Sequence, residues 1–309
     1  MIDKKLTLVI ATYNRGHKLT VTLDSLLCQT LPADLWEVVV VNNNSTDDTA
    51  GRFAEYAAAH PELDVRMVSE MRQGVSAARN RGVAESRGEY IVVIDDDEVV
   101  VPRFLEEYYE LFESRKDVSA AGGRILSRME SEPPAWMSKY TERAIAGVLD
   151  LGDQVTEFPA GKFFGGGNHG FRRSVVERYG GYDVSLGRCG GKLLAGEEKE
   201  FFMRLKSGGE KIIYLPDAVI YHLINPERLT RGYFERLCRN IGVSERMRTK
   251  SVSPMAYAKR LFAEAIKWGG VAVLSCGYLL RGQPSKAGYL VLMRSRITAG
   301  LLTGTSGKY

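Results

Sequence analysis

The sequence predicts an α/β protein with a mainly parallel central sheet and a helical C-terminal extension. In the first 120 residues, short runs rich in Val and Ile alternate with longer segments whose apolar residues recur at helical spacing. This alternation is typical of a parallel sheet with helices on both faces. After about residue 228 the strand-like runs stop, and a basic, helical pattern continues to the end of the chain.

The strands predicted in this first part cover residues 6–13, 36–43, 65–70 and 89–97. Val and Ile are dense enough in three of them to indicate strands that are buried on both faces. Open α/β sheets bind their ligands at the carboxyl ends of the strands. Polar residues stand at these ends in this chain, so we expect the functional site there.

The helices predicted between these strands cover residues 16–30, 45–60 and 74–87. The second is expected to begin at Ser45 or Thr46, which open a capping pattern followed by strong helix formers. The middle of the chain is less regular. It contains a loop with two prolines at residues 130–138 and a glycine-rich stretch before an acidic helix near residue 197.

The composition is that of an ordinary globular protein of 309 residues, of which 44% are hydrophobic and 26% are charged. The four cysteines form no CxxC pair, which favours reduced thiols over a disulfide framework or a zinc site. The apolar run at residues 6–11 is too short for the core of a signal peptide. We therefore expect a cytoplasmic protein, or one at the cytosolic face of a membrane.

Charge is unevenly distributed along the chain. Residues 221–309 hold fifteen Lys and Arg against four Asp and Glu, a surplus of eleven, whereas residues 1–220 carry a deficit of seven. The basic part is either a solvated face or a surface for an anionic partner such as a membrane. No aromatic-interleaved recognition motif accompanies it, so no nucleic acid is expected. The uncharged run at residues 268–280 is too short to span a bilayer and indicates an interfacial or a core helix.

A row of four carboxylates, from Asp95 to Glu98, directly follows a strand that is predicted to be buried. Burying adjacent like charges without a partner is costly, so this row calls for a cation. Residues two apart on an extended chain project to the same side, which lets Asp95 and Asp97 face one site. Carboxylates suit Mg²⁺ or Mn²⁺. The alternative is an acidic cap on a helix that begins near Pro102.

Seven motifs follow one another in order. They are "ATYNR" at 11–15, "NNNSTDDT" at 42–49, "GVSAARNRG" at 74–82, "IDDDE" at 94–98, "GGGNHGFRR" at 165–173, "GGYD" at 180–183 and "GEEKEFFMRL" at 196–205. Together they resemble the family-2 glycosyltransferases, whose Rossmann-like fold for nucleotide-diphospho-sugars is called GT-A. The resemblance covers roughly two thirds of the chain, from about residue 5 to 225.

The resemblance implies a division of the chain. Residues 1–225 would form the GT-A glycosyltransferase domain, in which residues 1–120 are the nucleotide-sugar-binding half and residues 121–225 the acceptor-binding half. Residues 226–309, which the resemblance does not cover, would form a basic helical region, for which the charge leaves contact with a membrane surface as one of the two alternatives.

For the donor nucleotide, the resemblance implies contacts from Thr12 and Asn14 at the tip of the first strand. Asn42 and Asn43 stand where the family often has an acid that bonds the base or ribose, and an amide can bond a base edge as well. The alternative for this Asn run is a turn, because Asn tolerates left-handed backbone angles. Arg79 matches the family segment that closes over the donor, and its alternative is a helix-surface salt bridge.

The "IDDDE" stretch matches the family's DxD motif, which holds the diphosphate through a metal. The resemblance gives Asp97 as the direct metal ligand, with Asp95 and His222 beside it, and Asp95 and Asp96 as contacts of the donor sugar and ribose. His222 has an ordinary strand-end histidine as its alternative. The implied cofactor is Mg²⁺ or Mn²⁺.

The resemblance makes Glu198 the general base, with Glu197 beside it, and the alternative is an acidic helix cap. A base that removes the acceptor's proton as the hydroxyl attacks opposite the leaving nucleotide would invert the anomeric centre. Asn168 and Gly167 match the family's turn near the acceptor. Trp136 is an aromatic residue available for sugar stacking, although aromatics are more often core residues.

The implied function is that of an inverting, metal-dependent glycosyltransferase. It would move a sugar from a nucleotide-diphosphate sugar to a glycan or lipid-linked acceptor, in cell-surface polysaccharide biosynthesis. The alternative is a non-catalytic nucleotide-sugar or glycan-binding protein on the same fold. A nucleotidyltransferase would need a glycine-rich phosphate loop after the first strand, and the stretch "ATYNRGHK" has one glycine.

Overall fold

The computed structural model describes residues 4–189 and 195–305. In these residues the strands are β1 (Leu6–Thr12), β2 (Trp36–Asn42), β3 (Val65–Ser69), β4 (Tyr90–Asp95), β5 (Glu98–Val100), β6 (Ala120–Met129), β7 (Thr156–Glu157), β8 (His169–Arg172) and β9 (Ile212–Ile224). The helices are α1 (Gly16–Asp24), α2 (Thr49–Ala59), α3 (Val75–Glu85), α4 (Phe104–Ser114), α5 (Lys139–Ala146), α6 (Arg173–Tyr179), α7 (Glu197–Ser207), α8 (Arg231–Val252), α9 (Pro254–Leu280) and α10 (Pro284–Thr303).

The strands join in one mixed sheet with the order β3-β2-β1-β4-β8-β6-β9-β5, and β7 pairs with β9. β1 runs parallel to both β2 and β4, and β2 runs parallel to β3. β8 is antiparallel to β4, and β5 is antiparallel to β9. The predicted α/β class, with a parallel first half and a helical C-terminal part, is confirmed.

The start of α2 differs from the prediction. The helix begins at Thr49, later than the expected cap at Ser45 or Thr46. The backbone N–H of Ser45 donates to Asn42 Oδ1 at 2.9 Å, and that of Thr46 donates to Asn14 Oδ1 at 2.7 Å. These bonds hold both residues in a loop, because their N–H groups point to side chains at the sheet edge.

Helix α3 packs closely on the parallel strands. A Cβ atom at Gly82 would collide with Cγ1 of Val9 in β1 and touch Cγ2 of Val41 in β2, so only glycine fits there. This close approach fixes the height of the helix over the sheet. It carries Arg79, one turn earlier on α3, into the buried interior.

The chain divides into two compact units. The first draws its described residues from Met1–Leu126, Val148–Ser185 and Glu197–Leu223, and the second from Ser127–Gly147, Leu186–Gly196 and Ile224–Tyr309. In the second unit, Trp136 stacks on Tyr289 with ring centroids 4.2 Å apart and contacts Phe234. No helix in the described parts of the chain is long and apolar enough to cross a membrane. The predicted boundary near residue 225 stays a prediction.

Candidate active site

The parallel strands bring polar residues to one edge of the sheet. Thr12, at the end of β1, lies opposite Asn42 at the end of β2, and Ala11 lies opposite Asp95 at the end of β4. Thr12 is buried, and its Oγ1 donates a hydrogen bond to Oδ2 of Asp96 at 2.7 Å. The strand register therefore sets predicted donor-binding residues side by side.

The carboxylate row ends β4 and forms the turn before β5, and α4 begins only at Phe104. This position does not support the alternative of an acidic helix cap. The side chain of Asp95 is 34% exposed, whereas those of Asp96 and Asp97 are buried. Two of the three aspartates therefore depend on partners inside the protein.

Arg15 supplies positive charge to these two aspartates. Its Nη1 lies 2.9 Å from Asp96 Oδ1 and 3.0 Å from Asp97 Oδ2. The charge of Asp96 raises the pKa of Arg15 above its ordinary value. Burial raises the pKa of Asp96, although Arg15 opposes this shift. Sequence reasoning gave Arg15 no role, and the only available signal was its place at the end of the first motif.

Arg79 joins the carboxylate row to the acid pair of α7. It is fully buried, with Nη2 2.8 Å from Asp95 Oδ1 and Nη1 2.9 Å from Glu197 Oε1. Nη2 also donates to the carbonyl oxygen of Gly166 at 2.9 Å. Burial lowers the pKa of Arg79, but the carboxylates outweigh it and raise the pKa above its ordinary value. This position does not support the alternative of a helix-surface salt bridge.

The two acids that begin α7 have different surroundings. Glu197 is buried, and burial together with the charge of Glu198 raises its pKa to about 8. Within the described residues, no group donates a hydrogen bond to its Oε2. Glu198 is half-buried and lies so close to Gly166 that a Cβ atom there would collide with its Oε1. The raised pKa thus falls on Glu197, while the more accessible carboxylate is Glu198.

Glu98 is a buried group to which the sequence assigned no role. Its Oε2 accepts a hydrogen bond from the backbone N–H of Asp95 at 2.8 Å, which holds the end of β4 in place. A Cβ atom at Gly167 would collide with the Glu98 carboxylate, so this glycine makes room for it. Burial and the charge of Asp95 raise the pKa of Glu98 well above its ordinary value.

The pairing of β5 with β9 sets His222 opposite Glu98. Nε2 of His222 lies 3.5 Å from Oδ1 of Asp97. Among the described residues, no group of three or more His, Cys, Asp or Glu side chains could by itself hold a metal ion. Two adjacent ligands still fit Mg²⁺ or Mn²⁺, since such ions usually keep waters and substrate phosphates in their other positions.

The amide side chains hold loops at this edge. Asn14 has a left-handed backbone with φ of 52°, and its Oδ1 receives the N–H of Thr46. Asn43 is buried, with Nδ2 donating to the carbonyl of Arg72 and Oδ1 accepting from the N–H of Gly74. These bonds fit the turn that is the alternative for the run Asn42–Asn44. The predicted contacts of these residues with a nucleotide base stay predictions.

The residues predicted to meet the acceptor are distributed over both compact units. Asn168 is fully buried, and its amide bonds Tyr108 Oη at 2.7 Å and the carbonyl of Ala218 at 2.8 Å. Gly167 is buried against Glu98, and Trp136 belongs to the second unit. The buried, fully bonded amide gives Asn168 a structural role, and the acceptor contacts stay predictions.

Comparison with known proteins agrees with these motifs. A family model described as glycosyl transferase family 2 matches residues 7–180. The glucosyl-dolichyl phosphate glucuronosyltransferase of Haloferax volcanii is 27% identical over 229 residues, which cover 71% of this chain and 69% of that protein.

Two solved structures share the fold. A mannosyltransferase from Pyrobaculum calidifontis, in complex with GDP-Man and Mn²⁺, has a TM-score of 0.65 at 19% identity, over 97% of this chain and 86% of that one. The enzyme GalNAc-T7, with UDP, GalNAc and Mn²⁺, has a TM-score of 0.56 at 17% identity, over 77% and 48%. These likenesses confirm the predicted fold.

Proposed function

The chain belongs to glycosyl transferase family 2, and on this premise we propose that it moves one sugar from a nucleotide-diphosphate sugar to an acceptor hydroxyl, with inversion at the anomeric carbon. The observation that carries this proposal is the Arg79 bridge between Asp95 and Glu197. It connects the carboxylates that suit a donor diphosphate with the acids that suit proton removal. The buried guanidinium group of Arg79 would therefore contact both the donor side and the acceptor side of the site.

At the donor side, Thr12, Asn14, Asn42 and Asn43 would bind the nucleotide. Asp95 and Asp96 would bind the donor sugar and ribose. Thr12 and Arg15 support this assignment because they hold the Asp96 carboxylate in one orientation. Arg15 adds a positive charge at the point where a diphosphate would lie.

A divalent ion would be held by Asp97 and His222, with Asp95 beside them, as Mg²⁺ or Mn²⁺. When bound, it would offset the negative charge that builds on the leaving diphosphate. The two comparison structures contain Mn²⁺, which supports a divalent ion here.

At the acceptor side, Glu198 would accept the proton of the attacking hydroxyl, because its carboxylate is accessible. Glu197 would orient the site through its bond to Arg79 and, with its pKa raised to about 8, would hold a proton beside the base near neutral pH. Asn168, Gly167 and Trp136 remain the proposed acceptor-binding residues, of which Asn168 would act through the turn it supports.

The acceptor would be a glycan or a lipid-linked sugar, and the process would be cell-surface polysaccharide synthesis. The name of the Haloferax relative, a glucosyl-dolichyl phosphate glucuronosyltransferase, supports a lipid-linked acceptor. The surplus of basic residues after residue 220 supports association with a membrane at its cytosolic face. We retain the division into a catalytic domain, residues 1–225, and a basic helical region, residues 226–309.

The test is a calorimetric titration of the purified chain with UDP, GDP and dTDP, first with Mn²⁺ and then with EDTA. We expect one nucleotide to bind only when the metal is present. Binding of none by the folded protein would contradict the donor site. Binding without any sugar transfer would favour a non-catalytic nucleotide-sugar-binding protein.

A further inference from the structure

The outward face of α9 is apolar. Six of its exposed positions form a stripe at alternating steps of four and three residues: Phe262, Ile266, Gly269, Val273, Cys276 and Leu280. Phe262 is 70% exposed, Val273 is 74% exposed and Leu280 is 90% exposed. The stripe covers nineteen residues, from Phe262 to Leu280, and so runs about 27 Å along the helix.

The inward face of the same helix carries polar groups beside the buried Val271. Glu264 is buried, and its carboxylate receives Arg260 Nη1 at 2.7 Å and Arg294 Nη1 at 3.1 Å. The indole N–H of Trp268 donates to Thr298 Oγ1 at 3.0 Å. A helix on a water-facing surface normally has the reverse arrangement, with its apolar side inward. α9 therefore presents apolar side chains to its surroundings, while Glu264 and Trp268 bond inward.

The charges around this face are of one sign. From Pro254 to Thr303 the sequence has seven Lys and Arg and one acid, and that acid is the buried Glu264. Lys259 and Lys267 are exposed on α9 itself, and Arg281 follows its end. A second copy of the chain on this face would bring like charges together. An anionic surface would be attracted.

A cavity of about 570 Å³ lies at the C-terminal end of this stripe, within the second unit. Tyr278, Lys286 and Lys139 line it together with Met129 and Met137. Each ammonium group lies near an aromatic ring: that of Lys286 lies over Tyr278, and that of Lys139 lies over Tyr140. Glu142 also lines the cavity, so two ammonium groups face one carboxylate, and this positive surplus beside apolar side chains suits the boundary between acyl chains and anionic headgroups.

We propose that the outward face of α9 lies flat on an anionic lipid surface. Phe262, Ile266, Val273 and Leu280 enter the acyl boundary, and the lysines beside the face and cavity meet lipid phosphates. The inference deepens, and rests on, the membrane association proposed above. It names the face that makes the contact.

The test is flotation of the full chain with phosphatidylcholine vesicles, with and without phosphatidylglycerol. We expect binding to the anionic vesicles, which raised salt weakens. Phe262→Glu/Val273→Glu should lower the partition coefficient at least about 30-fold, because two exposed apolar groups become charged. The matched control, Met71→Glu/Val155→Glu, changes two side chains that are 71% and 57% exposed in the first unit, and should bind as the wild type does.

A second variant tests the headgroup contact. Lys139→Gln/Lys286→Gln should lower binding to anionic vesicles about 10-fold or more and leave binding to neutral vesicles unchanged. Equal binding by the wild type and the α9 variant would overturn the proposal. A second pair of results would also overturn it: the wild type binds no vesicles, and light scattering shows that it self-associates whereas Phe262→Glu/Val273→Glu does not. A second copy of the chain would then cover the face.

The vesicles carry neither donor nor acceptor, so this result is independent of sugar transfer. Nucleotide titration of the same preparations reports the donor site separately. Vesicle binding without nucleotide binding would support the membrane contact of α9 and contradict the catalytic proposal. Nucleotide binding without vesicle binding would contradict only the membrane contact of α9.

Discussion

Two buried glutamates, one in each unit, have pKa values shifted in opposite directions. Glu197 belongs to the first unit and Glu264 to the second, and they are 4% and 3% exposed. Burial and the charge of Glu198 raise the pKa of Glu197 to about 8. Burial alone would also raise the pKa of Glu264, but its bonds to Arg260 and Arg294 outweigh it and lower the pKa.

The difference lies in the partners. Both oxygens of Glu264 receive hydrogen bonds, from two arginines and from Thr298. Glu197 shares its one arginine with Asp95, and among the described residues its Oε2 receives no donor. Perturbed, incompletely compensated charge in the interior is typical of functional sites. The comparison therefore supports the proposed role of the α7 acids and is consistent with a structural role for the Glu264 cluster.

The largest expected effect comes from the acid beside Glu197. Glu198→Gln keeps the shape of the side chain and removes the proton acceptor, so sugar transfer should fall at least about 100-fold. Nucleotide affinity should stay unchanged in calorimetry. The matched control is Glu200→Gln on the same helix, because Glu200 is bonded to Arg204 and not to the site.

Arg204 bonds Glu200 and the carbonyl oxygens of residues 179–181, so the control changes a cluster that is separate from the two acids at the start of α7. Transfer at the wild-type rate in Glu198→Gln would remove the role of Glu198 as the base.

A smaller effect is expected from the compensated glutamate. Glu264→Gln removes the carboxylate that bonds Arg294 and one of the two that bond Arg260, which keeps Glu245, and should lower the free energy of unfolding by about 2 kcal/mol. Urea unfolding followed by tryptophan fluorescence measures this, since Trp268 lies one turn along α9. Nucleotide affinity should not change. A stable variant with weakened nucleotide binding would break the distinction between the two glutamates.

The smallest effect is a pH dependence of opposite sign for the two groups. Because the folded pKa of Glu197 is raised, its stabilising contribution is present at low pH and is lost as the pH rises to about 8. Because that of Glu264 is lowered, its contribution is lost as the pH falls into the ordinary carboxyl range. The urea midpoint of each variant, Glu197→Gln and Glu264→Gln, is compared with that of the wild type at each pH. The difference from the wild type should change with pH in opposite directions for the two variants. Parallel curves would contradict the assignment.

The fold and the carboxylate row could be predicted because their signals are local. Dense Val and Ile in β1, β2 and β4 identify buried strands, and Asp95–Asp97 follow one of them directly. Arg15 was missed because its partners, Asp96 and Asp97, lie 81 and 82 residues later in the chain. Periodicity cannot show such a pairing, which depends on the register of β1 with β4.

The direction in which a side chain points was the second feature that the sequence could not predict. The residue type of Asn168 suits a sugar hydroxyl, but packing turns its amide inward to Tyr108. The uncharged run at residues 268–280 was recognised, whereas the face it exposes depends on Glu264, which is drawn inward by Arg260 and Arg294. In the sequence, the one indication of the cluster of Glu264, Arg260 and Arg294 was a single acid in an otherwise basic segment.

The pairing of β5 with β9 has a consequence for how the protein is made. It sets Glu98 opposite His222, and 124 residues separate these two positions in the chain. At ribosomal speeds of about 5–20 residues per second, roughly 6 to 25 s pass between the synthesis of one and the other. During that interval the nascent chain carries the acidic row without His222, so the donor site that we propose would be completed only late in translation.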